Sequence, residues 1–218
     1  MKKKILLLCL ATLLFVTGCG TGGNEVTGGN ELHEENEKLT DKVSSEVFQG
    51  ANGKLIVITK NSNNQPVDIT VEVEFYDENN TFIASAKEYE FSVVKDKEVA
   101  LEIYDTPENF STYKVYTDAT KSYGVSMMDK VEMTHSNNGK EIVVQVKNNA
   151  ETVIDSITVA VVYYKDNKVV GYEYDLETDV KAGRSANFAL DYPTDKNYRD
   201  VSFDTYKVFL NRAESYTN

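Results

Sequence analysis

The stretch Ile69-Thr70-Val71-Glu72-Val73-Glu74-Phe75-Tyr76 alternates apolar and polar side chains without a break. Successive side chains of a strand point to opposite faces. Period two therefore sends Ile69, Val71, Val73 and Phe75 into a core and Thr70, Glu72, Glu74 and Tyr76 toward water. Turn chemistry brackets similar stretches on either side. Asn52-Gly53 and Asn138-Gly139 are hairpin signals, because both residues tolerate positive φ in a type I′ turn. Asp166-Asn167 joins two further strands, with Asp77-Glu78-Asn79-Asn80 in the matching loop upstream, and Lys181-Ala182-Gly183 precedes a strand over Ser185–Leu190.

These signals occur twice in chain order. Asp41-Lys42-Val43 returns as Asp129-Lys130-Val131, Lys60-Asn61 as Lys147-Asn148, and Tyr113-Lys114-Val115-Tyr116 as Tyr206-Lys207-Val208-Phe209. Asn52-Gly53-Lys54 returns as Asn138-Gly139-Lys140. A period near 90 residues is too long for a solenoid unit and reads as a duplicated domain of about 80 residues. Each copy holds six or seven strands at spacings of roughly 8–12 residues, which predicts an antiparallel sandwich. The expected fold is all-β: two tandem immunoglobulin-like antiparallel β-sandwich domains, over 41–121 and 129–213, linked by Ser122 to Met128. Trp is absent and no cysteine pair exists in either copy, so neither is an antibody-type domain. Domains this small bury modest cores, and the two are expected to pack on each other.

Both copies resemble the FxLYD type of domain of exported bacterial lipoproteins. Val73-Glu74-Phe75-Tyr76-Asp77 carries the namesake stretch loosely. Val161-Val162-Tyr163-Tyr164-Lys165 carries it more loosely still, with lysine in place of the acid. The resemblance implies a β-sandwich and supplies no catalytic residues.

The amino-terminal 18 residues have the layout of an export signal. Lys2, Lys3 and Lys4 precede an apolar run from Ile5 to Val16, too short to cross a core of ~30 Å as a helix. Val16-Thr17-Gly18-Cys19 resembles the bacterial lipobox, which implies a diacylglyceryl group on the Cys19 sulfur and cleavage before that residue. One acyl chain holds a protein marginally to a bilayer and two hold it stably. The expected location is the outer face of the bacterial cytoplasmic membrane. Residues 19–40 are Gly-rich and then acidic, and read as a flexible tether with a reach of about 25 Å, with a short helix across Glu31 to Leu39 as the alternative for its second half.

Removing the three signal lysines takes the formal charge from −12 to −15. Such a chain does not neutralise phosphates, which excludes nucleic acid as a partner. Two isolated histidines, His33 and His135, with no thiol beyond Cys19 once Cys9 leaves with the signal, give no metal-ligand spacing and no catalytic triad. Asp77-Glu78-Asn79-Asn80 has calcium-type oxygens without the spacing of an EF-hand loop and reads as a turn. Asp175, Glu177 and Asp179 read as solvated strand and loop acids rather than a glycosidase pair. The expectation is no catalytic residue, no metal and no cofactor.

Fourteen Tyr and no Trp form a polar aromatic supply suited to protein or glycan contacts. Ala160, Val162 and Tyr164 make apolar a face that is polar at Thr70, Glu72 and Glu74 in the first copy. That face needs a cover: the other copy, a crossing strand, or an outside partner. Ala160, Val162 and Tyr164 are thus a candidate partner-contact face. Together these features predict a non-enzymatic, membrane-anchored binding module, with an envelope-maintenance scaffold as the alternative and a carboxylate hydrolase a distant third.

Overall fold

The computed structural model describes residues 29–216. A helix, α1 (Gly29–Thr40), precedes thirteen strands. These are β1 (Val43–Gln49), β2 (Leu55–Asn61), β3 (Val67–Tyr76), β4 (Phe82–Val93), β5 (Glu98–Ile103), β6 (Thr112–Lys121), β7 (Val125–Ser126), β8 (Val131–Asn137), β9 (Glu141–Asn148), β10 (Ile154–Lys165), β11 (Lys168–Val180), β12 (Ser185–Asp191) and β13 (Thr205–Ser215). A short 3₁₀ turn, Met128–Lys130, precedes β8. The protein is all-β apart from its helix, and every named strand pair is antiparallel.

In the first half the sheets run β1-β2-β5 and β4-β3-β6; in the second they run β8-β9-β12 and β11-β10-β13, the latter extended by β7. The order is the same in both halves. Leu55, Val57, Ile69, Val71, Val73 and Phe75 meet between the first pair of sheets. Ile142, Val144, Val159, Val161, Tyr163 and Phe188 meet between the second pair. A buried Asn marks the same corner of each. Asn61 Nδ2 donates to the carbonyls of Gln65 and Val93, at 3.0 and 2.7 Å. Asn148 Nδ2 donates to those of Thr152 and Val180, at 2.9 and 2.8 Å. Each satisfies buried backbone where β4 or β11 leaves its sheet, just after Ser92 and Asp179 take positive φ.

Three expectations about local geometry change. The Asn-Gly loops close hairpins, but only Gly53 and Gly139 take positive φ, so neither turn is type I′. Asn52 and Asn138 use their side chains instead, accepting the amide hydrogens of Lys54 and Lys140. Positive φ at two adjacent residues, as type I′ requires, occurs at Asp166 and Asn167 in the β10–β11 hairpin.

The third change is the helix. Residues 29–40 of the expected flexible tether are helical, because Leu39 finds a place in the first core and Asn63 Nδ2 holds the Leu39 carbonyl at 2.9 Å. Thr40 Oγ1 donates to Asp118 and accepts from the Ala119 amide, tying the helix end to β6. Docking of Leu39 and these hydrogen bonds supply what local acid repulsion opposes. Among the described residues no helix is long and apolar enough to cross a membrane.

Candidate functional site: the sheet junction and the outer face of β4-β3-β6

Alternation along β2 and β10 decides how the halves meet. Leu55 and Val57 enter the first core, while Ile56 between them points out of it. Val159 and Val161 enter the second core, while Ala160 and Val162 point out. Ile56, Ala100, Ala160, Val162, Val169 and Phe209 form a third buried cluster, bordered by Phe48, Ile58, Tyr164 and Tyr172. Sheet β1-β2-β5 therefore lies against sheet β11-β10-β13, and the four sheets stack in one series.

This arrangement corrects the candidate partner-contact face. Ala160 and Val162 have no exposed surface, and their cover is the first half of the same chain. Tyr164 is half-buried at the rim of the junction, where burial and then Glu98 and Glu46 push its hydroxyl above its ordinary pKa. Beside it opens a cleft of about 450 Å³ whose lining includes Glu46, Phe48, Lys60 and Lys207. An ion pair between Lys207 and Glu98 crosses from one half to the other there.

Polar groups stitch the junction. Asn211 pairs with the Ala100 backbone, and the Tyr172 hydroxyl donates to the Ala100 carbonyl at 3.2 Å. Glu90, buried, receives Arg212 Nε at 2.9 Å and Nη2 at 2.8 Å. Desolvation raises the Glu90 carboxyl above its ordinary pKa, opposed by Arg212 and assisted by the nearby Glu214. Ser92 Oγ donates to Glu214 at 2.7 Å. The linking segment is part of this structure, since β7 pairs with the end of β13.

Among the described residues, the outer face of sheet β4-β3-β6 carries exposed side chains, Phe82, Tyr89 and Tyr116 among them. Register sets Glu72 between Lys87 and Tyr116, and Glu74 between Ser85 and Lys114. Lys87 pairs with Glu72 at 2.9 Å. One oxygen of Glu74 accepts the Tyr76 hydroxyl at 2.5 Å and the Tyr116 hydroxyl at 3.1 Å. The Tyr76 bond, outweighing desolvation and assisted by Tyr116 and Lys114, holds the Glu74 carboxyl below its ordinary pKa. Lys114 Nζ sits 4.8 Å from the centre of the Tyr76 ring, and Phe82 meets that ring edge-on at 6.1 Å. Tyr116 is 49% and Phe82 56% exposed. The face thus sets aromatic rings beside carboxylate acceptors whose orientation the hydroxyl bonds hold.

The remaining sequence candidates do not converge. His135 lies exposed on β8, with Nδ1 3.3 Å from the Tyr206 hydroxyl. Asp77 spends one oxygen on the amides of Asn79 and Thr81, as a turn does. Asp175, Glu177 and Asp179 are spread along β11. Among the described residues no three His, Cys, Asp or Glu side chains gather as a metal site. Val16, Thr17, Gly18 and Cys19 lie outside the described residues. Sequence reading missed the Tyr76–Glu74–Tyr116 cluster, although the outward parity of Glu74 and Tyr76 was a signal for part of it. A scan of protein-family models found none that matches this chain, and a search of curated proteins found no match either.

Proposed function

We propose that this protein is a membrane-anchored extracytoplasmic lipoprotein that acts as a non-enzymatic binding module. The likeness of Val16-Thr17-Gly18-Cys19 to a lipobox supports the anchor, and the likeness of Val73–Asp77 to the FxLYD stretch supports the class of domain. The observation that carries the binding reading is the Tyr76–Glu74–Tyr116 cluster, in which Tyr116 is exposed and Glu74 and Tyr76 are half-buried. Its carboxylate is oriented by two phenols, and the Tyr116 ring stands open on the sheet. Preorganised aromatic groups contact a ligand at low entropic cost.

Two measurements test this. The intact mass of the protein extracted from its native membrane should equal residues 19–218 plus lipid; an unlipidated chain with a free Cys19 thiol removes the anchor. A photo-crosslinking residue at position 116, and separately at position 145 on the outer face of β8-β9-β12, should give a defined adduct only from 116. Indiscriminate crosslinking to bulk envelope from both positions favours a scaffold, and no adduct from either defeats the binding reading.

A further inference from the structure

We propose that the junction between the two halves is a proton-operated latch, tight when a proton sits on the Glu90–Glu214 carboxylate pair and eased when it leaves.

The junction buries more acid than base. Glu90 comes from β4 of the first half and Glu214 from β13 of the second, and both side chains are buried. Arg212 and Glu214 project from one face of β13, because Ala213 between them enters the second core. The Arg212 guanidinium gives Nε and Nη2 to the same oxygen of Glu90, at 2.9 and 2.8 Å. That oxygen also accepts the Phe91 amide hydrogen at 3.2 Å. Glu214 instead receives the Ser92 hydroxyl at 2.7 Å, and Ser92 Oγ lies 2.8 Å from Ser122 Oγ. Two buried carboxylates thus stand at one guanidinium, and one negative charge is left unmatched.

The packed elements around the pair add acid and neutral groups. From β3, Asp68 accepts the Ser92 amide hydrogen at 2.8 Å. From β10, Asp155 accepts the Ser215 hydroxyl at 3.1 Å and the Tyr216 amide hydrogen at 2.6 Å. From β11, Tyr172 faces Glu90 with a hydroxyl that burial, then Glu90 and Glu102, push well above its ordinary pKa, so it stays neutral. Glu102 is itself paired with Lys54. The linking segment packs directly on Glu214: a Cβ at Gly124 would stand 1.7 Å from its carboxylate oxygen. Among the described residues, Arg212 is the one cation in ion-pair contact with this cluster.

A buried charge without a partner is costly, and a carboxylate pair sheds one by binding a proton. Burial raises the Glu90 carboxyl above its ordinary value of 4.5, against Arg212 and the Phe91 amide and with the help of Glu214. A proton held more tightly in the docked state couples docking to pH. Its contribution is fully present below pH 4.5 and is lost as pH rises through the raised value. The two carboxylates come from opposite halves, so the loss falls on the junction and not on either separate core.

The test is site-resolved hydrogen exchange of the full chain in non-ionic detergent, across about pH 5 to 8. Protection is corrected for the pH dependence of intrinsic exchange. The Ala100 amide reports on the junction, because Asn211 of the other half holds its hydrogen. The Val71 amide of β3 reports on the first core. Protection of Ala100 should fall as pH rises, while that of Val71 changes less. Glu214→Gln and Glu90→Gln each leave one carboxylate for one guanidinium. Each should flatten the fall and leave Ala100 better protected than in the parent at the upper pH. The double variant leaves Arg212 unmatched and should protect Ala100 less than either single variant. A thermal melt identifies any variant that does not fold, and either single variant decides the question. Ala100 protection that ignores pH in the parent, or that falls equally in a folded single variant, overturns the proposal. Equal falls at Ala100 and Val71 also overturn it, since the proton then stabilises the whole fold and not the junction.

Discussion

Asn211 treats Ala100 as a neighbouring strand would. Its Nδ2 donates to the Ala100 carbonyl at 2.6 Å, and its Oδ1 accepts the Ala100 amide hydrogen at 3.1 Å. β5 is the edge of its sheet, and an open edge is a site for unwanted strand pairing. One side chain from β13 thus closes part of that edge and joins the halves at the same point.

Asn211→Ala leaves the buried Ala100 amide without its acceptor. The expected loss is ~1–3 kcal/mol, the cost of stranding a buried polar group. Urea unfolding should show a lower midpoint, and an unchanged midpoint would mean that water replaces the amide.

The Glu90–Arg212 pair gives a pH test. Arg212 is the main group opposing desolvation in setting the Glu90 carboxyl, so removing it leaves only the Phe91 amide against desolvation and Glu214 and raises the pKa further. Arg212→Met should cost ~3–5 kcal/mol near neutral pH, because Glu90 remains buried and unpaired. A raised folded-state pKa means that the folded chain holds the proton more tightly than the unfolded one. Stability of the variant relative to the parent should therefore recover as pH falls from neutrality through the raised pKa of Glu90. Parallel stability–pH curves for the two proteins would contradict this.

Val162→Glu places a carboxylate among Ile56, Ala100 and Phe209. Burying an unpaired charge belongs to the small class of substitutions that cost more than ~4 kcal/mol, unless the surfaces part. The expected outcome is separation of the halves or unfolding, seen as a larger radius of gyration in solution scattering. A variant as compact and stable as the parent would show that the face is not tightly covered in solution.

Thr59 offers a change in the opposite direction. It has no exposed surface, and its hydroxyl lacks a hydrogen-bond partner among the described residues. Thr59→Val exchanges that hydroxyl for a methyl group of similar size and should stabilise by ~1 kcal/mol. With a chain of this length, a rise of roughly 2–4 °C in Tm is the expected reading. A lower Tm would reveal a partner for the hydroxyl.

Much of the architecture was legible in short stretches. The parity of Ile69 to Tyr76 assigned each side chain to the face it occupies, and β3 is buried at every apolar position of that run. The recurrence of Lys60-Asn61 as Lys147-Asn148 marked two Asn side chains with matching hydrogen bonds. The turn type at Asn52-Gly53 was not legible, because the side chain of Asn52 also bonds Glu102, a residue on β5. The helix at 29–40 was legible only as an alternative across Glu31 to Leu39, since its acidic sequence argues against it and the pocket for Leu39 decides for it.

By itself, then, the sequence determined that the chain is built of antiparallel strands, which side of each strand is apolar, and that Ala160 and Val162 need a cover. Those properties follow from a two-residue period, which is local and repeats regardless of context. Only the tertiary structure decided that Ile56 and Ala100 provide the cover, and that Glu74 and Tyr116, 42 residues apart, share a hydrogen bond. Contacts of that kind depend on which faces stack and in what register. Stacking is settled by the sum of many weak burial energies over the whole chain, and no short stretch contains that sum.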